Sequence, residues 1–269
     1  MFVFNGRSLR QHLHEGGQFG AFWFSLGSPA LIELATAARP DAIVIDAQHG
    51  LWDRHSLENA VAATGGKVPL LVRTMDSSKG AISTALDAGA AGVIVPLIET
   101  AEEARRTVEA ARFPPHGVRS GGGVRPLAGD FAAYVADANA HTLVGVMIET
   151  VAGVAQAEAI ASVEGLDLVL IGTGDLAISL GTFPAADPRH EEACQAVLAA
   201  CRKAGVACGI FTPHAEAAAR RAAEGYNMTV VANDIDVVAR GFANAQASFR
   251  AVPDAARSQQ PKAKRATRR

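Results

Sequence analysis

An eightfold alternation limits the fold more than any other feature of the chain. Short apolar runs of strand type lie at 20–26, 42–46, 69–73, 92–96, 142–148, 168–171, 207–211 and 227–232. Ala-rich helical patterns separate them. Strands joined through helices pair in parallel, because a parallel neighbour needs a crossover. Eight such units predict an α/β fold of the (β/α)8 kind, a TIM barrel, whose usual length is about 250 residues. An open doubly wound sheet is the competitor. It carries a Gly-rich phosphate turn after its first strand, and Leu26-Gly27-Ser28-Pro29 is not G-x-G-x-x-G. Ser28 and Pro29 instead open a helix, as N-cap and first helical residue.

Further helices are expected at 55–64, 78–88, 101–112, 131–139, 151–162, 176–180, 188–204, 215–224 and 235–249. From 113 to 140 the pattern breaks into a turn, Phe113-Pro114-Pro115-His116-Gly117, and a loop, Arg119-Ser120-Gly121-Gly122-Gly123. Long loops in compact domains tend to be functional. One barrel domain over 1–251 and a tail over 252–269 are expected. From 253 onward there are six basic residues and one acid, net +5, so the remainder of the chain carries −7 of the total −2. The tail has no large apolar residue and reads as disordered.

The near-neutral balance excludes a general attraction to nucleic acid or membrane. The first residues lack a signal-peptide pattern, and no run approaches the roughly 18 apolar residues of a membrane helix. Cys194, Cys201 and Cys208 are three in number and lack C-x-x-C spacing. They read as buried, reduced thiols of a cytoplasmic protein.

In a TIM barrel the active site lies at the carboxyl ends of the strands. There, two apolar runs end on acids: Val144-Gly145-Val146-Met147-Ile148-Glu149, and Leu168-Val169-Leu170-Ile171 followed by Gly172-Thr173-Gly174-Asp175. Glu149 and Asp175 are hard oxygen donors suited to Mg²⁺ or Mn²⁺. Alternatively they are helix-start acids facing a positive dipole end. Arg73 closes the third strand, where a cation stabilises enolate charge or pairs with Asp46. His49, in Asp46-Ala47-Gln48-His49-Gly50, exchanges protons near neutrality with Asp46 orienting it, or is structural. Gly172, Thr173 and Gly174 allow backbone N–H groups to approach a carboxylate. His12, His14, His55, His116, His141, His190 and His214 are taken as surface residues. None of the five lysines ends a strand, so imine-forming aldol chemistry lacks its nucleophile and metal-stabilised enolate chemistry fits better.

With these residues in view, the chain resembles the HpcH/HpaI aldolases, metal-dependent pyruvate aldolases of aromatic and sugar-acid catabolism. The motifs carrying the resemblance are Phe24-Ser25-Leu26-Gly27-Ser28-Pro29, Val44-Ile45-Asp46-Ala47-Gln48-His49-Gly50, Leu71-Val72-Arg73, Leu86-Asp87-Ala88-Gly89-Ala90, Phe113-Pro114-Pro115-His116-Gly117-Val118-Arg119, Met147-Ile148-Glu149-Thr150 and Ile171-Gly172-Thr173-Gly174-Asp175-Leu176. Together they span roughly residues 20–245. The resemblance implies a barrel whose last helix swaps between subunits of a homo-hexamer, a trimer of dimers. It implies that Glu149 and Asp175 hold Mg²⁺, Mn²⁺ or Co²⁺, on which pyruvate chelates. Gly174 and its neighbours would donate to the pyruvate carboxylate, and Arg73 would stabilise the enolate. His49, with Asp46 and a water on the metal, would move the C4 hydroxyl proton. Asp87 would reach the neighbouring subunit's His49, and Trp23 would line the site unless it is plain core.

Two positions depart from the resembled pattern. Gln48 stands where an acid often precedes the histidine, and Met147 where a glutamine often touches substrate. They leave water organisation, metal preference and the aldehyde open. The expected activity is that of a class II aldolase cleaving a 4-hydroxy-2-oxo acid to pyruvate and an aldehyde. The aldehyde would be set by loops near Ser28, Arg119–Arg125 and Thr212–His214. An acyl-CoA lyase of the citrate-lyase-like type and a non-catalytic barrel that binds 2-oxo acids are the alternatives.

Overall fold

The computed structural model describes residues 7–184 and 187–251; the expected disordered tail, 252–269, lies outside the described residues. The strands are β1 (Phe19–Phe24), β2 (Ala42–Asp46), β3 (Leu70–Arg73), β4 (Gly92–Val95), β5 (Leu143–Ile148), β6 (Leu168–Ile171), β7 (Ala207–Ile210) and β8 (Met228–Asn233). They close in sequence order into a parallel barrel, β8 returning to β1. The helices are α1 (Leu9–His14), α2 (Pro29–Thr36), α3 (Arg54–Ala63), α4 (Lys79–Asp87), α5 (Ala101–Ala111), α6 (Val124–Leu127), α7 (Phe131–His141), α8 (Val151–Ala155), α9 (Ala157–Ala161), α10 (Thr173–Ser179), α11 (Pro188–Ala204), α12 (Ala215–Ala223) and α13 (Asp234–Ala251). The (β/α)8 barrel is therefore as expected. The chain divides into two compact units, one ending at Asp234 and one beginning at Ile235. Among the described residues the second unit is the remainder of α13.

Strand side chains alternate between faces, and the core divides accordingly. The inward set includes Ala21, Trp23, Ala42, Val44, Leu71, Ile94, Leu143, Met147, Leu168, Leu170, Met228 and Val230. The outward set, including Ile43, Ile45, Val72, Val146, Ile148 and Ile171, packs under the helices. Residues buried on both faces read as continuous apolar runs, which is why these strands show no alternating pattern in sequence. A charge that ends such a run at an inward position points into the barrel mouth.

Several elements differ from expectation. Helix α1 was not anticipated; Leu9 and Leu13 join the inward cluster from below, and a Ser8–Gln11 capping box starts the helix. The single helix expected at 151–162 breaks at Gln156 into α8 and α9. Helix α10 starts three residues earlier than expected and takes Asp175 into its first turn.

Helix α1 is tied down by Asp167, whose carboxylate accepts from Arg10 Nε at 2.7 Å, His14 Nε2 at 2.8 Å, Arg112 Nη2 at 3.1 Å and the Val144 N–H at 2.9 Å. His14 is thus not a bare surface residue. Burial alone would raise the Asp167 pKa, but the His14 bond and the Arg10 and Arg112 charges outweigh it and hold the group below its ordinary 3.8. A depressed acid contributes stability above its unfolded pKa and loses it as pH falls through the folded value. Asp167→Ala strands the buried Arg112 and should cost about 3–5 kcal/mol, read by denaturant unfolding at neutral pH. The deficit should shrink as pH falls below 3.8; a deficit independent of pH would contradict the ion-pair account.

Candidate active site

The carboxyl rim is built from inward positions that continue the strand parity. Asp46 and Arg73 are register partners across β2 and β3, so their side chains share the inner face. Asp46 Oδ1 accepts from Arg73 Nε at 2.8 Å, and Oδ2 from Arg73 Nη2 at 2.6 Å. The fork is bidentate, the strongest geometry for this pair, and both residues are buried. Ser25 Oγ donates to Asp46 Oδ2 at 3.2 Å, Trp23 Nε1 approaches the same oxygen at 3.4 Å, and the backbone N–H groups of Gln48 and His49 reach Oδ1 at 3.1 and 3.2 Å. Burial alone would raise the Asp46 pKa, but the Arg73 bonds and charge outweigh it and hold the carboxyl below its usual range. Asp46 therefore orients the His49 backbone; no bond joins it to the exposed imidazole.

The Arg73 guanidinium lies 5.1 Å from the Trp23 ring centroid, within cation–π range. Trp23 in turn meets the Phe211 ring edge-on, centroids 5.3 Å apart. Trp23 is both core and rim: it belongs to the inward cluster and touches the Asp46–Arg73 pair. In sequence Ser25 stands out only as part of a motif. The β1–β2 register places it one step beyond the Phe24–Ile45 pair, beside Asp46. Asp234 accepts the Ser25 and Leu26 N–H groups, both at 2.9 Å, and so fixes the turn after β1.

Glu149 is the next inward position after Met147 and is 1% exposed. Its Oε1 accepts the Leu97 N–H at 2.8 Å. Leu97 holds φ +56, a left-handed conformation that costs a non-glycine residue of order 1 kcal/mol, and it stands where strain supports a site. Glu149 Oε2 is buried and has no hydrogen-bond partner. Thr150 Oγ1, not Glu149, caps α8 by accepting from Gly153 N, which removes the helix-start reading for Glu149. Asp175 occupies the first turn of α10, so the dipole reading remains open for it. Burial pushes the Glu149 pKa up, and repulsion from Asp175 and Asp46 adds to this against the Leu97 bond and the Arg73 charge. Asp46, Arg73, Glu149 and Asp175 are thus one electrostatic cluster.

Gly172 explains how the buried carboxylate fits. The β5–β6 register pairs Ile148 with Ile171, so the next step sets Glu149 beside Gly172. A Cβ on Gly172 would stand 2.1 Å from Glu149 Oε2 and 3.0 Å from Met147 Cε. Any side chain there evicts the carboxylate. Gly172→Ala should weaken divalent-metal affinity by about 10–100-fold, the usual range for a change just behind the ligands, measured by calorimetric titration. Unchanged affinity in a folded variant would break the link between Gly172 and the carboxylate.

Hard oxygen donors and a buried Oε2 without a partner fit a divalent metal held by Glu149 and Asp175. Among the described residues no three His, Cys, Asp or Glu side chains gather into a cage.

Asp87, expected to act across a subunit boundary, and the Arg119–Arg125 loop lie away from this chain's own rim. Asp87 ends α4, the end leading to the amino side of β4, and accepts from Arg119 Nη2 at 2.9 Å. Arg119 is 4% exposed, lies 4.5 Å from the Phe113 ring centroid and also donates to Tyr134 Oη. Arg125 donates to the Glu58 carbonyl. The Arg119–Arg125 loop follows α5, which carries the chain back from the rim, so in one chain it does not border the acceptor side as expected. A cavity of about 1090 Å³ likewise lies away from the rim, lined by Arg10, Arg105, Glu109 and Arg112.

The HpcH/HpaI aldolase/citrate lyase family pattern matches residues 20–240. A 4-hydroxy-2-oxovalerate aldolase of Rhodococcus jostii is 35% identical over 248 residues, covering 90% of this chain and 95% of that one. A hydroxypyruvate/pyruvate aldolase of Cupriavidus necator is 35% identical over 253 residues, 90% of this chain and 92% of that one. The crystal structure of a family protein from Burkholderia cenocepacia superposes with a TM-score of 0.86 at 33% identity, covering 90% and 99% of the two chains.

Proposed function

The chain belongs to the HpcH/HpaI aldolase/citrate lyase family and is a class II pyruvate aldolase, a carbon–carbon lyase; we propose how its residues divide the cleavage of a 4-hydroxy-2-oxo acid to pyruvate and an aldehyde. The observation that carries the assignment is Glu149 Oε2, buried without a partner and packed against Gly172. Glu149 and Asp175 hold a divalent ion, Mg²⁺, Mn²⁺ or Co²⁺. When bound, the metal supplies positive charge that polarises the 2-oxo group.

The backbone N–H groups of Thr173 and Gly174 frame the substrate carboxylate, with Trp23 and Met147 as apolar walls; the Gly172 N–H is taken by the Ile148 carbonyl at 3.2 Å. Arg73 spends its Nε and one Nη2 proton on Asp46, which leaves the Nη1 edge for the 2-oxo oxygen. Because Asp46 holds the fork in place, the cation needs no reorganisation as enolate charge develops. His49 takes the proton of the C4 hydroxyl. The C3–C4 bond breaks, its electron pair enters the pyruvate enolate and the aldehyde departs. A proton returned to C3 completes pyruvate, and the reverse sequence makes the bond.

Asp87 belongs to the site through assembly, reaching His49 of a neighbouring subunit in a homo-hexamer built as a trimer of dimers, with the last helix exchanged between subunits. The barrel domain extends to 251. The protein works in the cytoplasm, where its three buried free cysteines stay reduced, on small molecules and not on nucleic acid or membrane. Among the described residues no helix is long and apolar enough to cross a membrane.

Pyruvate release from a panel of 4-hydroxy-2-oxo acids, with and without chelator and with metal restored, tests the assignment. Turnover should stop on chelation and return with Mg²⁺, Mn²⁺ or Co²⁺. Chelator-insensitive cleavage would remove the metal from the mechanism.

A further inference from the structure

His190 reads from sequence as a surface residue, yet its ring is engaged behind the candidate site. Its Nε2 stands 3.0 Å from the Thr173 carbonyl oxygen. Thr173 sits between Gly172 and Gly174, on the turn that leads from β6 to Asp175. Gly172 starts α10 without a side-chain cap, and a Cβ at Gly174 would meet nothing within 4 Å. Flanking glycines leave a backbone soft, so the turn depends on bonds from outside. Among the described residues Thr173 receives two. Its Oγ1 donates to the Phe211 carbonyl at 3.2 Å, and its carbonyl oxygen, with a second lone pair free beside the helix bond, accepts from His190.

A carbonyl oxygen can only accept, so His190 Nε2 is the donor, and a second contact suits that tautomer. Cys194 Sγ lies 3.9 Å from His190 Nδ1, one helical turn on in α11. Burial pushes the Cys194 thiol up to about 12, so it stays S–H and can donate to Nδ1. An imidazole accepting at Nδ1 carries its proton on Nε2, which is the tautomer that binds the Thr173 carbonyl.

We propose that His190 is a positioning residue: through the Cys194–His190–Thr173 chain it fixes the 172–174 turn, and with it the stance of Asp175 and Gly172 toward Glu149. The proposal rests on the metal-site reading above. His190 touches neither substrate nor ion. It acts by restricting a turn that two glycines would otherwise leave loose, so its removal widens the spread of Asp175 positions without removing a ligand.

The test is Mn²⁺ binding to the full-length, metal-free protein, followed by the electron paramagnetic resonance signal of free Mn²⁺. His190→Leu keeps bulk and deletes the donor. Losing one hydrogen bond's worth of restraint predicts Mn²⁺ binding about three- to tenfold weaker. His190→Gln, whose amide can donate to the same carbonyl, should recover most of the loss. The ring borders an existing cavity of about 390 Å³, lined also by Phe211 and Arg221, so neither variant should unfold the barrel, and unfolding curves check that. Equal Mn²⁺ affinity in wild type and a folded His190→Leu overturns the proposal, as does a loss that His190→Gln fails to repair. If wild type itself binds no Mn²⁺, the metal-site reading fails instead.

Discussion

Arg73→Met should lower kcat/KM for retro-aldol cleavage by about 10²–10³-fold, the usual cost of deleting one preorganised donor at a developing oxyanion. It should also destabilise the protein. Asp46 is 2% exposed and loses the partner of both carboxylate oxygens, and an uncompensated buried charge costs about 3–5 kcal/mol. The two losses separate in the Asp46→Asn, Arg73→Met double variant. Neutralising position 46 removes the orphaned charge, so stability returns while activity does not. Arg73→Lys sharpens the point. Lysine keeps the charge but is a point donor on a flexible stem, unable to fill the Asp46 fork and present an edge at once, so it should recover only part of the rate. Cleavage by Arg73→Met within about threefold of wild type, set against that expected range, would show that Arg73 is only half of a structural ion pair.

The same pair shows why part of the site is legible in the sequence. Strands β2, β3 and β5 are apolar on both faces because helices cover one and the barrel interior the other, so a charge closing such a run has no ordinary place in the core. Asp46, Arg73 and Glu149 all close runs, all at inward parity. The barrel was legible for the same reason: eight helix-separated apolar runs leave few topologies. What the sequence hid depends on contacts between segments that periodicity does not connect. Helix α1 has only six residues and a polar sequence, and its only advance signal was the Ser8–Gln11 capping box. His190 meets a backbone carbonyl 17 positions earlier, a bond no side-chain pattern announces. The Arg119–Arg125 loop follows the fourth strand in order, but α5 intervenes and carries the chain back from the rim. Gly172 looked like a carboxylate-binding glycine; its conformation is unremarkable, and its lack of a Cβ makes room for the carboxylate of Glu149.

Glu149→Gln gives the second large effect, and its sign reverses with metal. The Glu149 pKa is raised above its ordinary 4.5 by burial first, then by Asp175 and Asp46. A group with a raised folded pKa binds more protons folded than unfolded, so metal-free stability falls as pH climbs from 4.5 through the folded value. Glutamine is neutral throughout and nearly isosteric, and it can still accept the Leu97 N–H. In chelator at neutral pH the variant should therefore melt above wild type, and the difference should vanish below pH 4.5, where Glu149 is protonated in both states. With metal the order inverts. A ligand that binds only the folded state stabilises it by RT ln(1 + [L]/Kd), and replacing the carboxylate should weaken affinity by at least about 100-fold, the upper end of the cost of changes that merely support a ligand. Wild type should then gain a metal-dependent rise in Tm that Glu149→Gln nearly lacks, and lose cleavage activity on the same substitution. The crossing of the two melting orders requires that one carboxylate be both a liability to the empty fold and the holder of the ion. Equal metal-induced shifts in the two proteins would place the ion elsewhere, and a variant less stable than wild type in chelator would mean that Glu149 is held by a partner other than the Leu97 N–H.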